Sequence, residues 1–140
     1  MSDNPLADQV WRTLSTLVLD NKDGWRRAVV ERTGLPFSRI RILKRLAQQP
    51  MTVKRVAEAA TIDAPAATVA VNDLESRGLV TRQTDPQNRR CKLVSLTDAG
   101  RAVIAVLDDT EDPAPEALAG LDEKDLQALQ TILRRVGQLR

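Results

Sequence analysis

The chain contains no histidine, no tyrosine and a single cysteine, Cys91. Without histidine the commonest general acid and base is missing, and with only one cysteine besides, Cys/His zinc sites and internal disulfides are excluded. Long apolar runs are also absent: none approaches the ~18 to 20 residues that span a bilayer. The opening Met1-Ser2-Asp3-Asn4-Pro5 lacks the basic and apolar regions of a signal peptide. These absences argue against an enzyme, a metal or cofactor protein and a membrane protein, and the expected location is cytoplasmic. Charge of one sign is not in large excess either, with 21 Lys and Arg against 19 Asp and Glu, a formal +2. What remains is 140 residues, 42% hydrophobic and 29% charged, a composition suited to one soluble globular domain with its own core.

The near-neutral total conceals an uneven distribution. Residues 39–92 carry eleven basic and five acidic side chains, residues 93–140 five and nine, and residues 1–38 five of each. A basic centre on a neutral or acidic scaffold is the electrostatic footprint of a nucleic-acid-binding module, with a merely solvated surface as the plain alternative.

Periodicity supplies the architecture. Leu6, Val10, Trp11, Leu14, Leu17, Val18, Trp25, Ala28 and Val29 recur at three- and four-residue steps, predicting one long amphipathic helix to Thr33 with Gly34 at its end. Both tryptophans lie on that stripe, to be covered by a partner surface or by the chain itself. Phe37 to Gln49 predicts a core helix stopped by Pro50. Thr52 and Asp63 are positioned to cap two short helices joined by Thr61-Ile62-Asp63. In the second, Ala67, Val71 and Leu74 face inward and Pro65, Ala66, Thr68, Val69 and Asn72 face outward, a small-residue surface that permits close approach to another body. Leu79–Thr84 and Cys91–Ser95 then read as two strands joined through Asp85-Pro86-Gln87-Asn88-Arg89-Arg90, a hairpin whose arginines suit phosphate or minor-groove contact. Thr97 caps a further helix through Val103, Ile104 and Leu107, interrupted at the acidic and proline-containing 108–115. Asp122 with Asp125 starts a last helix whose stripe is Leu126, Leu129, Ile132, Leu133, Val136 and Leu139.

Four stretches in this order carry a family resemblance: Leu35-Pro36-Phe37-Ser38-Arg39-Ile40-Arg41-Ile42-Leu43, Asp73-Leu74-Glu75-Ser76-Arg77-Gly78-Leu79-Val80, the 85–90 wing, and Leu93-Val94-Ser95-Leu96-Thr97-Asp98-Ala99-Gly100. Together they resemble MarR-type transcriptional regulators over nearly the whole chain, the wing and the following Leu-Thr-x-x-Gly being the most specific part. The resemblance implies a mainly α fold with a small β-hairpin wing (α+β), in which a winged helix-turn-helix at 35–100 is flanked by dimerisation helices at 1–34 and 101–140 within a single structural domain. It implies a homodimer on double-stranded DNA with a roughly palindromic operator, and a small aromatic or anionic effector. On this reading Pro65, Ala66, Thr68, Val69 and Asn72 line the major groove, while Gln87, Asn88, Arg89 and Arg90 form the DNA-contacting wing with Asp85 orienting one arginine. Thr52, Lys54, Arg55 and Arg77 are phosphate contacts, and Leu6, Val10, Trp11, Leu14, Leu129, Leu133 and Val136 build the dimer. The chain departs from the family pattern at Val69, Asp73 and Asn88, and Pro113 and Pro115 fall where relatives run one long helix.

Occlusion of a promoter needs no further contacts, so repression is expected over activation. The alternatives are a winged helix that binds a protein partner and little DNA, and a redox-responsive regulator in which Arg90 and Lys92 activate Cys91, for which no second cysteine stands ready as a partner. An enzyme would have to use Asp108, Asp109, Glu111 and Asp112, which read instead as a solvated break because they lack calcium-loop spacing and any histidine.

Overall fold

A computed structural model describes residues 3–137 as α1 (Pro5–Asn21), α2 (Asp23–Thr33), α3 (Phe37–Gln48), α4 (Val53–Ala60), α5 (Ala64–Ser76), β1 (Val80–Asp85), β2 (Asn88–Leu96), α6 (Asp98–Asp109), α7 (Glu116–Ala119) and α8 (Glu123–Gly137). The fold is thus mainly helical with one antiparallel hairpin, as expected. The described chain divides into two compact units, one running to Asn21 and resuming at Asp112, the other Lys22–Glu111.

The Lys22–Glu111 unit has the core. Ile40, Leu43 and Leu46 of α3, Val56 and Ala60 of α4, Ala67, Val71 and Leu74 of α5, and Val80, Val94 and Leu96 of the hairpin are all buried. The inward stripe of α5 is the one its sequence predicts. Val29 of α2 and Leu107 of α6 are buried in the same cluster, so residues 22–34 and 101–111 pack with the winged helix although the sequence assigns them to the flanking regions. Trp25 follows them: its ring meets Phe37 edge-on at 6.1 Å, and both residues pack on this core. Trp11, by contrast, is 71% exposed.

One predicted helix is two. The segment expected to run unbroken from Leu6 to Thr33 is divided at Lys22, which is flanked by the weak helix formers Asn21, Asp23 and Gly24 that favour a new start. The caps follow the sequence. Thr52 Oγ1 accepts from Arg55 N at 3.2 Å, Asp63 Oδ1 from Ala66 N at 2.7 Å, Thr97 Oγ1 from Gly100 N at 3.1 Å and Asp122 Oδ1 from Asp125 N at 2.8 Å. Each satisfies an amide that the first helical turn leaves unpaired.

The hairpin is anchored at its base. Met51 exchanges two backbone hydrogen bonds with Val94, 3.1 and 2.7 Å, giving β2 a short second neighbour beside β1. Gly78 closes α5 with φ +75°, a left-handed conformation that glycine adopts without steric cost. Thr97 then ties three elements together: its N–H donates to Leu79 O at 3.1 Å and its hydroxyl to Gly78 O at 2.6 Å, while it caps α6.

The second unit contains α1, α7 and α8, and none of the three has a buried residue among those described. Leu6, Val10, Trp11, Ile132, Leu133 and Val136 are exposed; Leu139, predicted on the same stripe, lies outside the described residues. The interruption expected at 108–115 is an irregular link over 110–115, α6 continuing through Asp108 and Asp109, and is followed by the four-residue α7, since Pro113 and Pro115 lack the amide a continuous helix requires.

Candidate nucleic-acid interface

Helix α5 presents the predicted face. Pro65, Ala66, Thr68, Val69 and Asn72 are all exposed, Val69 by 62%, on the side opposite the buried Ala67, Val71 and Leu74. The polar groups on this face are not equivalent. Thr68 Oγ1 donates to Ala64 O at 3.1 Å, which commits its proton to the helix and leaves oxygen lone pairs and a methyl outward. Asn72 Oδ1 accepts from Arg82 Nη2 of β1, which orients the amide so that its NH2 remains available as donor. The outward face therefore offers an acceptor, an apolar surface and a donor, in chain order.

The sequence counts Arg82, with Lys92, only among the basic residues of the hairpin strands and does not foresee its tie to Asn72. Its signal was strand alternation: Arg82 lies two residues after the buried Val80 and opposite the buried Val94, a core-facing position from which an arginine can escape only over α5. Its Nε is buried with no hydrogen-bond partner.

An ion-paired link holds the neighbouring residue of the same helix. Asp73 Oδ2 accepts from Arg39 Nε at 3.0 Å and from Arg77 Nε at 3.1 Å, joining α3 to the last turns of α5. The Arg39 guanidinium, with Arg77 in support, holds the Asp73 carboxyl below the usual carboxylate range against a partial desolvation that opposes it. The acid that departs from the family pattern is thus the residue that staples α5 to its neighbour. Arg77, expected on phosphate, gives its Nε to this pair and remains partly exposed.

The wing differs from its predicted form. The turn is only Pro86-Gln87, and β2 begins at Asn88. Thr84 pairs with Lys92 and Asp85 with Asn88, so Arg89, Arg90 and Cys91 have no counterpart on β1 and form a bulge on the strand rather than part of the turn. Bulges re-aim side chains, and here the two arginines are exposed with no carboxylate partner among the described residues. Asp85 does not orient either of them; its Oδ1 accepts from Gln87 N at 2.9 Å and shapes the turn, because an Asx bond two residues on is the shorter reach. Asn88 braces the bulge, accepting from Arg90 N at 3.2 Å and donating to Cys91 Sγ at 3.4 Å. Cys91 is half-buried.

The other phosphate candidates lie along the start of α4. Lys54 and Arg55 are exposed and Thr52 half-buried, Arg55 pairing with Glu58 at 3.0 Å on the surface. Among the described residues no group of acidic or cysteine side chains is placed to hold a metal ion, and no helix is long and apolar enough to cross a membrane.

Two tandem helices, an exposed small-residue helix face and a basic hairpin beside it define a winged helix-turn-helix. Residues 33–90 match the profile of the MarR family. It is 31% identical over 106 residues to the uncharacterized HTH-type transcriptional regulator YdgJ of Bacillus subtilis, an alignment that takes in 74% of this chain and 65% of that protein's length. The fold is similar to the transcriptional regulator BldR of Sulfolobus solfataricus, with TM-score 0.64 and 25% identity over 96% of this chain and 99% of that one. It is also similar to BpsR of Bordetella bronchiseptica, whose DNA binding is regulated by 6-hydroxynicotinic acid, with TM-score 0.60 and 21% identity over 99% and 100% of the two chains.

Proposed function

We propose that this chain is a sequence-specific DNA-binding transcriptional regulator of the cytoplasm, a homodimeric repressor of a roughly palindromic operator. The observation that carries the proposal is the pairing of an exposed, small-residue α5 with a bulged wing whose Arg89 and Arg90 have no acidic partner among the described residues. The α5 face enters the major groove, and Arg89 or Arg90 enters the flanking minor groove. Thr52, Lys54, Arg55 and Arg77 contact phosphates. With few hydrogen-bonding side chains on α5, shape and phosphate contacts supply most of the affinity.

Dimerisation is supported by α1 and α8. Helices of 17 and 15 residues with no buried side chain are marginal alone in water, and their exposed Leu6, Val10, Trp11, Leu133 and Val136, with the half-buried Leu14 and Leu129, supply the apolar surface a two-fold partner would cover. A small aromatic or anionic effector releases the operator, a reading supported by what BpsR's DNA binding responds to. It does so by favouring a half-site separation that no longer matches grooves about 34 to 36 Å apart. The test is binding of the full chain to a duplex over a salt series, with sedimentation in parallel. A dimer whose affinity falls steeply with salt supports the proposal; a monomer, or binding indifferent to salt, contradicts it.

A further inference from the structure

Within the Lys22–Glu111 unit, α2 and α3 line an open cavity of about 420 Å3 formed by Arg26, Phe37, Arg41, Lys44, Arg45 and Gln48. Arg41, Lys44, Arg45 and Gln48 share one face of α3 by their spacing, and Arg26 approaches from α2. Four cations thus surround one concavity with no acid in its lining.

Two of these cations are held by aromatic rings and not by carboxylates. Arg32, Arg39, Arg55, Arg77 and Arg101 each pair with a carboxylate. Arg26 instead lies over the Phe37 ring at 4.8 Å and Lys44 over the Trp25 ring at 5.0 Å, while the two rings meet edge-on. Stacking on an aromatic face positions a cation without neutralising it. Arg41 and Arg45 have no acidic partner among the described residues either. The result is a supported, uncompensated charge of four on a concave surface, and such a surface concentrates anions.

We propose that this cavity binds a small molecule carrying two or more phosphate groups. One carboxylate engages one guanidinium fork and would leave three cations unmatched, whereas adjoining phosphates present enough oxygens for three guanidinium groups and an ammonium. The volume is that of an ordinary small-ligand site. None of its lining comes from α4, α5 or the hairpin, so the site is separate from the proposed DNA-reading surface and does not depend on that reading.

The test is calorimetric titration of the full chain with sodium tripolyphosphate at about 0.15 M salt, where long-range surface attraction is largely screened. Orthophosphate and benzoate serve as single-anion comparators. One tripolyphosphate per chain is expected, at least tenfold tighter than either comparator. Arg41→Gln with Lys44→Gln should weaken it at least tenfold with the ligand-free melting temperature unchanged, and Arg101→Gln should change it less than twofold. Equal affinity for benzoate, an equal loss in Arg101→Gln, or no saturable binding would overturn the proposal. So would failure to bind tripolyphosphate combined with loss of affinity for a short random-sequence duplex in the double variant, which would make the patch a DNA-backbone surface.

Discussion

Replacing Gly100 with alanine should destabilise the protein, although the same exchange in a helix ordinarily stabilises it. Gly100 lies in the first turn of α6, and an added Cβ would sit 2.2 Å from Leu79 O and 3.2 Å from Leu96 Cδ2. The first distance is 0.8 Å inside the 3.0 Å that Cβ atoms essentially never breach. Helix propensity favours alanine by about 0.8 to 1.0 kcal/mol, but forcing an extra carbon into a packed contact costs typically about 1 to 3 kcal/mol. The obstructing atom is a backbone carbonyl already accepting from Thr97 N, so it cannot turn away without losing a bond worth about 1 kcal/mol. The net expectation is a loss of about 1 to 3 kcal/mol. Gly24 is the matched control, for its Cβ would meet nothing within 4 Å and Gly24→Ala should gain up to about 1 kcal/mol. Thermal unfolding of the three proteins decides, since each kcal/mol moves the midpoint by roughly 3 to 6 °C at this size. A Gly100→Ala protein as stable as its parent would refute the idea that close approach of α6 to the root of the hairpin requires glycine there.

The wing arginines should act mainly through phosphate and minor-groove charge: Arg89→Ala with Arg90→Ala is expected to weaken operator binding at least tenfold and to reduce the slope of log affinity against log salt by up to about 2, as measured by fluorescence anisotropy. If Arg82 orients Asn72, then Arg82→Met should relax base preference at one position of each half-site, a discrimination of about 1 to 3 kcal/mol, with little change in affinity for random duplex. A uniform loss across all sequences would instead make Arg82 a structural support. Asp73 supplies a pH test. Because its carboxyl is held below the usual range in the folded chain, its contribution to stability is present above the ordinary carboxylate value, about 3.9, and is lost as pH falls through the folded value. Asp73→Asn should therefore be less stable than the parent at neutral pH and should lose less on acidification, as followed by urea midpoints from pH 7 to pH 3.

Much of this was legible in residue order. The inward and outward faces of α5 follow from a 3.6-residue period acting on alanine, valine and leucine, and the four caps follow from Thr52, Asp63, Thr97 and Asp122, whose short oxygens can reach only nearby amides. The break at Lys22 was not legible from periodicity, because the apolar stripe continues across it and only the weak helix formers around Gly24 betray it. Nor could the wing be placed residue by residue: Val, Leu and Thr content marks strands but not a bulge, which depends on how Asn88 and Asp85 spend their side-chain hydrogen bonds. The family resemblance implies an arginine partner for Asp85, whereas the closer Gln87 amide takes the oxygen. The ties from Arg82 to Asn72 and from Arg39 to Asp73 span 10 and 34 positions, separations at which spacing carries little information and only the packing of α3, α5 and β1 brings the groups together.

The most direct test of the central claim is selection of bound duplexes from a random DNA pool by the full chain at near-physiological salt. Recovery of a palindrome whose half-site centres lie about one helical turn apart is the predicted result. Recovery of no motif, with only salt-sensitive binding to every sequence, would contradict a sequence-specific dimeric regulator.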